Sequence, residues 1–209
     1  MKAVIKAVLL DPEARTVNVS NTSGKLREPV VRFIHWMRAF NTRSQNGQYL
    51  FGTTSDPSTS LAQSPMNAPS VFNFFRPGFI PPNSKMGALG LVSPEAQITS
   101  ETSVAGYLNF MRSTIQNGVG TTQANGTRDI IADYTQEIAL ANDADKLIDR
   151  VSLLLTAGVL STNTRNQIRT AINSVAIRTA AADAETDRRN RVYLAIYLTM
   201  ASPDYILQN

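Results

Sequence analysis

The feature that most limits how this chain can fold runs from Ser64 to Glu101, SPMNAPSVFNFFRPGFIPPNSKMGALGLVSPEAQITSE. It holds six of the ten prolines and four of the eight phenylalanines, and no part of it keeps a helical or strand period. Proline fixes φ and removes a backbone donor, so such a stretch cannot form a helix interior or a central strand. A polar stretch of this length would stay disordered, unable to offset its ordering entropy. This one is apolar and aromatic, which predicts an ordered irregular segment packed along a surface. The regular elements must lie on either side of it.

Upstream, Val4, Ile5, Val8 and Leu9 form a short helical stripe within Lys2–Leu10, stopped by Asp11-Pro12. A polar turn through Asn18, Ser20, Asn21, Ser23 and Gly24 follows. Asn18-Val-Ser20, Asn21-Thr-Ser23 and Asn125-Gly-Thr127 fit the glycosylation acceptor pattern, a short pattern that matters only in a glycosylating host. Glu28-Pro29 should open a second helix, proline being suited to the first turn. Its apolar stripe is Val30, Phe33, Ile34 and Met37, with Arg32 opposite and His35 and Arg38 on one flank. Thr42–Gln63 reads as a long surface loop with room for a short strand at Gln48–Phe51.

Downstream the pattern is helical. Ser100 or Thr102 caps a helix bearing Val104, Tyr107, Leu108, Met111 and Ile115, which ends at Asn117-Gly118. Ile130, Ile131, Tyr134 and Ile138 mark another, with Asp129 at its N-terminus. Asn142 or Asp143 opens a third with Leu147, Ile148, Val151 and Leu155, closed near Gly158. Ser161 or Thr162 opens a fourth with Ile168 and Ile172. A polar connector containing Asp183, Glu185 and Asp187 leads to a nearly all-apolar helix, Val192–Ala201, and a last turn after Ser202-Pro203. The expected fold is mainly α: about seven helices around one core, a long ordered Pro/Phe-rich segment, and little or no β. Residues 1–209 read as a single domain with a weak subdivision near 118–126. The C-terminal helices should pack on the first two, with the irregular segment wrapped across them.

Hydrophobic content of 43% with 17% charge is that of a folded chain. No run approaches a membrane span, and the N-terminal apolar stretch, interrupted by Lys6, is not a signal peptide. With no cysteine there is no disulfide, thiolate zinc site or Cys nucleophile. Residues 1–100 carry ten Lys/Arg against five Asp/Glu, and 101–209 ten against eleven. That bias favours anionic neighbours, although nucleic-acid binders usually concentrate more charge on one face.

Three residues are candidates for catalysis. His35, the one histidine, is the only side chain that could serve as base of a Ser-His-Asp triad, but no Gly-x-Ser-x-Gly elbow accompanies it. Glu95 and Glu101 are the carboxylates of the aromatic segment and its exit. A pair at a set separation is what glycoside hydrolysis needs. The plainer readings are a boundary histidine, an ion pair between Glu95 and Arg76, and a helix N-terminal role for Glu101. Asn67, Phe72, Asn73, Phe75, Arg76 and Gln97 form a candidate groove, aromatics supplying area and amides orientation. The alternative is that these phenylalanines are core. Phe-Phe-Arg could stack on single-stranded bases, but the basic cluster that such binders use is missing. No metal or cofactor site is read from the sequence.

Several stretches resemble one bacterial family in their order and wording. They are Asp11-Pro-Glu-Ala-Arg15, Lys25-Leu-Arg-Glu-Pro-Val-Val-Arg32, Pro69-Ser-Val-Phe-Asn-Phe-Phe-Arg-Pro77, Gly90-Leu-Val-Ser-Pro-Glu-Ala-Gln-Ile98 and Arg191-Val-Tyr-Leu-Ala-Ile-Tyr-Leu-Thr-Met-Ala-Ser-Pro-Asp-Tyr205. The family is DUF1800, of uncharacterised function. The departure is Ala96, where the family often has an aromatic. The resemblance implies the C-terminal part of a longer protein that usually begins with an export signal, hence a periplasmic or secreted setting, and it brings no catalytic residues. The expected function is a non-enzymatic structural or binding portion of an envelope-associated or secreted protein, partnered by the region upstream. The alternative is a hydrolase acting on polysaccharide or another polymer.

Overall fold

The computed structural model describes residues 1–15 and 24–208, with Glu13 and Ala14 described by backbone alone. The acceptor patterns at Asn18 and Asn21 lie outside the described residues. The fold is mainly α. Ten α-helical segments occur among the described residues: α1 Lys2–Leu10, α2 Pro12–Arg15, α3 Pro29–Ala39, α4 Lys85–Ala88, α5 Glu101–Asn117, α6 Thr135–Leu140, α7 Ala144–Thr156, α8 Thr162–Ser174, α9 Ala181–Ala201 and α10 Pro203–Ile206. A 3-10 helix covers Pro94–Ile98. The excess over about seven consists largely of single-turn helices, which are too short to show a hydrophobic period.

The caps behave as local chemistry requires. Ser100 Oγ accepts from the Ser103 N–H while the Ser100 N–H donates to Ser103 Oγ, forming a capping box at α5. Asp143 accepts from the N–H groups of Asp145 and Lys146 at α7, and Ser161 from that of Thr164 at α8. At the far end of α7, Ala157 takes the left-handed φ of 53° and Gly158 follows at 82°.

The β structure is little, as expected, and is confined to two small antiparallel sheets. In one, β1 (Lys25–Leu26) pairs with β5 (Leu207–Gln208), Lys25 facing Gln208. In the other, β4 (Arg128–Ile131) lies between β2 (Arg43–Ser44) and β3 (Val119–Thr122), in register Arg43↔Ile131 and Val119↔Ile130. So Arg128–Ile131 is a strand, not a helix opening. The apolar run alternates, Ile130 fully buried and Ile131 exposed, and Asn125-Gly126 makes the turn of a β3–β4 hairpin. The short strand lies at β2 instead of Gln48–Phe51.

The core is built on α9, which packs against α5, α6, α7, α8 and α10, while α3 packs on α7. Trp36 is fully buried and donates from Nε1 to the Tyr134 hydroxyl at 2.9 Å. That hydroxyl donates to the Ile115 carbonyl at 3.2 Å, tying α3 to the end of α5. Helix α9 is 21 residues long and continuous through the stretch expected to be a connector. Its polar half has the alanines of a good helix former and a Glu185–Arg189 pair at i, i+4. Asp187, placed by the sequence in the polar connector, is buried and accepts two bonds from the Arg178 guanidinium at 2.8 and 2.9 Å.

Two packing expectations change. The buried stripe of α3 is Arg32, Phe33 and Trp36, whereas Val31 and Ile34 are exposed, so the period was right and the face rotated. Arg32, expected opposite the core, lies over the Tyr107 ring at 4.6 Å. Helix α1 has no buried residue, so the C-terminal helices pack on α3 and not on the first helix.

Candidate functional site

The Ser64–Glu101 segment is anchored at its ends and free in the middle. Ser64 is buried at entry, Ser93 and Glu95 at exit. None of its residues belongs to the hydrophobic core or packs against it, so the expected wrap across two sets of helices is not formed. Instead it folds on itself. Ser93 N–H donates to the Phe79 carbonyl at 2.8 Å, and Arg76 N–H to Gln97 Oε1 at 2.7 Å. Ser84 caps α4 by accepting from Gly87 N–H at 2.9 Å. A Cβ on Gly87 would stand 2.3 Å from the Pro81 carbonyl oxygen, so glycine lets α4 lie against that backbone.

Of the groove candidates, Arg76 and Gln97 are brought together through a backbone bond, and Asn67 is tied by its amide to Ser55 Oγ at 3.2 Å. Phe75 is half-buried, Phe72 is 63% exposed, and Asn73 takes a left-handed φ of 66° after the turn that displays Phe72. What results is a set of apolar tips. Pro65-Met66 is the centre of a turn closed by Asn67 N–H to the Ser64 carbonyl at 3.1 Å. Val71-Phe72 is the centre of another, closed by Asn73 N–H to the Ser70 carbonyl at 3.1 Å. Met66 and Val71 are essentially fully exposed.

The two carboxylates occupy unlike settings. Glu95 is buried in the 3-10 helix and pairs with Lys25 Nζ of β1 at 3.8 Å, not with Arg76. Glu101 is exposed in the first turn of α5, where the helix dipole favours an anion. Burial and a lysine partner give Glu95 a role in fastening the segment to β1.

His35 touches two of the motif stretches, through Arg27 and Tyr205. Its Nε2–H donates to the Leu154 carbonyl at 3.2 Å, and Nδ1 accepts from Arg27 Nη1 at 3.2 Å, with the Tyr205 hydroxyl at 3.3 Å. An arginine can only donate, so this assigns the neutral Nε2–H tautomer. Burial, then the Arg27 charge, then that of Arg38 hold the imidazole below its ordinary pKa, against the Leu154 carbonyl, which raises it. Both ring nitrogens are occupied by groups that cannot activate a nucleophile. Arg27 also lies over the Tyr205 ring at 4.3 Å, and the Tyr205 hydroxyl donates to the Arg32 carbonyl at 3.1 Å. Burial pushes the Tyr205 phenol up to about 12, so it stays protonated. A cleft of about 600 Å³ opens beside this cluster, lined by Arg27, His35, Thr156, Asp204 and Gln208 among others. Another, of about 420 Å³, runs along α3 over Val30, Val31, Ile34, His35 and Arg38.

Sequence reasoning missed Arg27, Arg32, Tyr107 and Tyr205 as one cluster. The available signal was that Lys25–Arg32, Gly90–Ile98 and Arg191–Tyr205, which carry the family resemblance, must meet somewhere. Lys25–Arg32 joins the other two, through the Lys25–Glu95 pair and the Arg27–Tyr205 contact. Among the described residues no group of three or more His, Asp or Glu is placed to hold a metal ion. No helix of the described residues is long and apolar enough to cross a membrane.

A family model described as "Protein of unknown function (DUF1800)" matches residues 1–207. No curated protein and no solved structure matches.

Proposed function

Because the chain belongs to the DUF1800 family, we propose that it is a non-enzymatic structural or binding portion of a larger secreted or envelope-associated bacterial protein. The observation that carries this reading is the apolar surface left in water by ordered elements. Val4, Ile5, Val8 and Leu9 of α1 are all at least half exposed, and Val31 and Ile34 flank the apolar cleft on α3. Exposed contiguous apolar surface of this kind marks docking sites. We assign α1 and the α3 cleft to the region of the parent protein that lies upstream. The Pro/Phe-rich segment is assigned to an outside partner. The three weak catalytic candidates support the reading by their partners: His35 is held by Leu154 and Arg27, Glu95 by Lys25, and Glu101 lies at a helix start.

The test has two parts. Fractionation of cells producing the tagged parent protein should place it in the envelope or the medium. The purified chain should leave glycoside, ester and peptide substrates unchanged. Turnover abolished by Glu95→Gln would instead establish a hydrolase.

A further inference from the structure

We propose that the turn tips of the Pro/Phe-rich segment insert into the surface of an anionic lipid bilayer. This rests on the envelope-associated reading above and gives the segment its partner. The central positions of tight turns normally hold Gly, Asn, Asp, Pro or Ser, because those residues suit the backbone and water. Here Pro65 is of that kind, but the other three central positions hold Met66, Val71 and Phe72, at 104%, 96% and 63% exposure. Met66 even takes a φ of 59°, a left-handed conformation that a long unbranched side chain adopts at a cost. The fold spends strain and apolar exposure on these tips while the Asn67–Ser55 bond holds the chain beside Met66 and the Arg76–Gln97 bond holds it after Phe72. The display is therefore built in, and ordering it on binding costs little.

Shape and charge decide the occupant. The exposed side chains sit on two separate turns, so a protein partner would need a socket for each, whereas a bilayer surface deforms around them. There is no Asp or Glu between Asp56 and Glu95, while Arg76 and Lys85 lie within the segment, both exposed. Apolar insertion beside basic residues, in a stretch whose next carboxylate, Glu95, is buried and paired with Lys25, is the chemistry of peripheral binding to anionic headgroups.

The experiment is flotation of the purified chain with vesicles of phosphatidylglycerol and phosphatidylcholine in equal parts, and with phosphatidylcholine alone. The chain should float with the anionic vesicles and bind the neutral ones at least about tenfold more weakly. The double variant Val71→Ser/Phe72→Ser and the double variant Arg76→Glu/Lys85→Glu should each lower binding by about tenfold or more. These side chains lie outside the core, so circular dichroism should be unchanged. Leu153→Ser, at an exposed apolar residue elsewhere, should bind as the parent chain does. Absence of flotation, or flotation indifferent to both double variants, overturns the proposal. So does self-association lost in Val71→Ser/Phe72→Ser without lipid affinity, which would make a second copy the occupant. Failure here with the parent protein still found in the envelope overturns the lipid partner alone. Turnover of a substrate overturns the broader reading.

Discussion

At the scale of single residues, the informative positions are charged or titratable groups that the fold has taken out of water. His35 binds a proton less readily in the fold than in the unfolded chain, because burial and Arg27 disfavour the imidazolium. Its contribution is complete above the unfolded value of 6.5 and is lost as pH falls from there towards the lowered folded value. Thermal unfolding should therefore show the midpoint dropping between about pH 7.5 and 5.5, and His35→Gln should flatten that drop. Glutamine can still donate to Leu154 and accept from Arg27, so a parallel slope in both proteins would show that His35 is not the titrating group. Arg32 is only 6% exposed, donates to the Arg27 carbonyl at 2.6 Å and covers Tyr107. Arg32→Ala removes stacked area and a bond, leaving the Arg27 carbonyl without that donor. The expected loss is roughly 2–3 kcal/mol in urea unfolding. A loss below about 0.5 kcal/mol is the surface-arginine result.

At the scale of elements, helix α5 sets propensity against packing. Gly106 lies inside it, and alanine there would normally stabilise a helix by roughly 0.5–1 kcal/mol. A Cβ at Gly106 would stand 2.2 Å from the Pro57 carbonyl oxygen and 2.9 Å from the Ser58 carbonyl carbon. These are backbone atoms that cannot swing aside, so the overlap should win. Gly106→Ala is expected to destabilise by roughly 1–3 kcal/mol, read by chemical denaturation, and a stabilised variant would mean that the 57–58 loop gives way. The β3–β4 hairpin has a similar lesson. Asp129 is fully buried and accepts from Ser44 Oγ at 2.7 Å and Asn46 N–H at 2.9 Å, which fastens β2 and the loop after it to β4. Read as a helix N-terminus it looked ordinary. The Asn125-Gly126 turn between Val119–Thr122 and Arg128–Ile131 was the legible signal, and helical spacing of Ile130, Tyr134 and Ile138 masked it.

At the scale of the whole molecule, the core gathers on α9 while α1, the α3 cleft and the Pro/Phe tips stay outside it. Since no residue of α1 is buried, removing residues 1–10 should change unfolding free energy by less than about 0.5 kcal/mol. A larger loss would show that α1 packs on the rest in solution.

What the sequence determined by itself is what a few neighbouring residues settle. Ser100, Asp143 and Ser161 cap their helices through bonds that span two or three residues. Asp11-Pro12 and Asn117-Gly118 end theirs through backbone restriction, and the order of motifs identifies the family. Only the tertiary structure decided which side of a helix faces inward, that Arg32 and Asp187 are buried, and that Phe72 and Met66 stand in water. Those outcomes depend on Tyr107, Arg178 and the other remote partners that each side chain meets or fails to meet. A period in the sequence records that one face is apolar; the contacts made by distant segments choose how that face is turned.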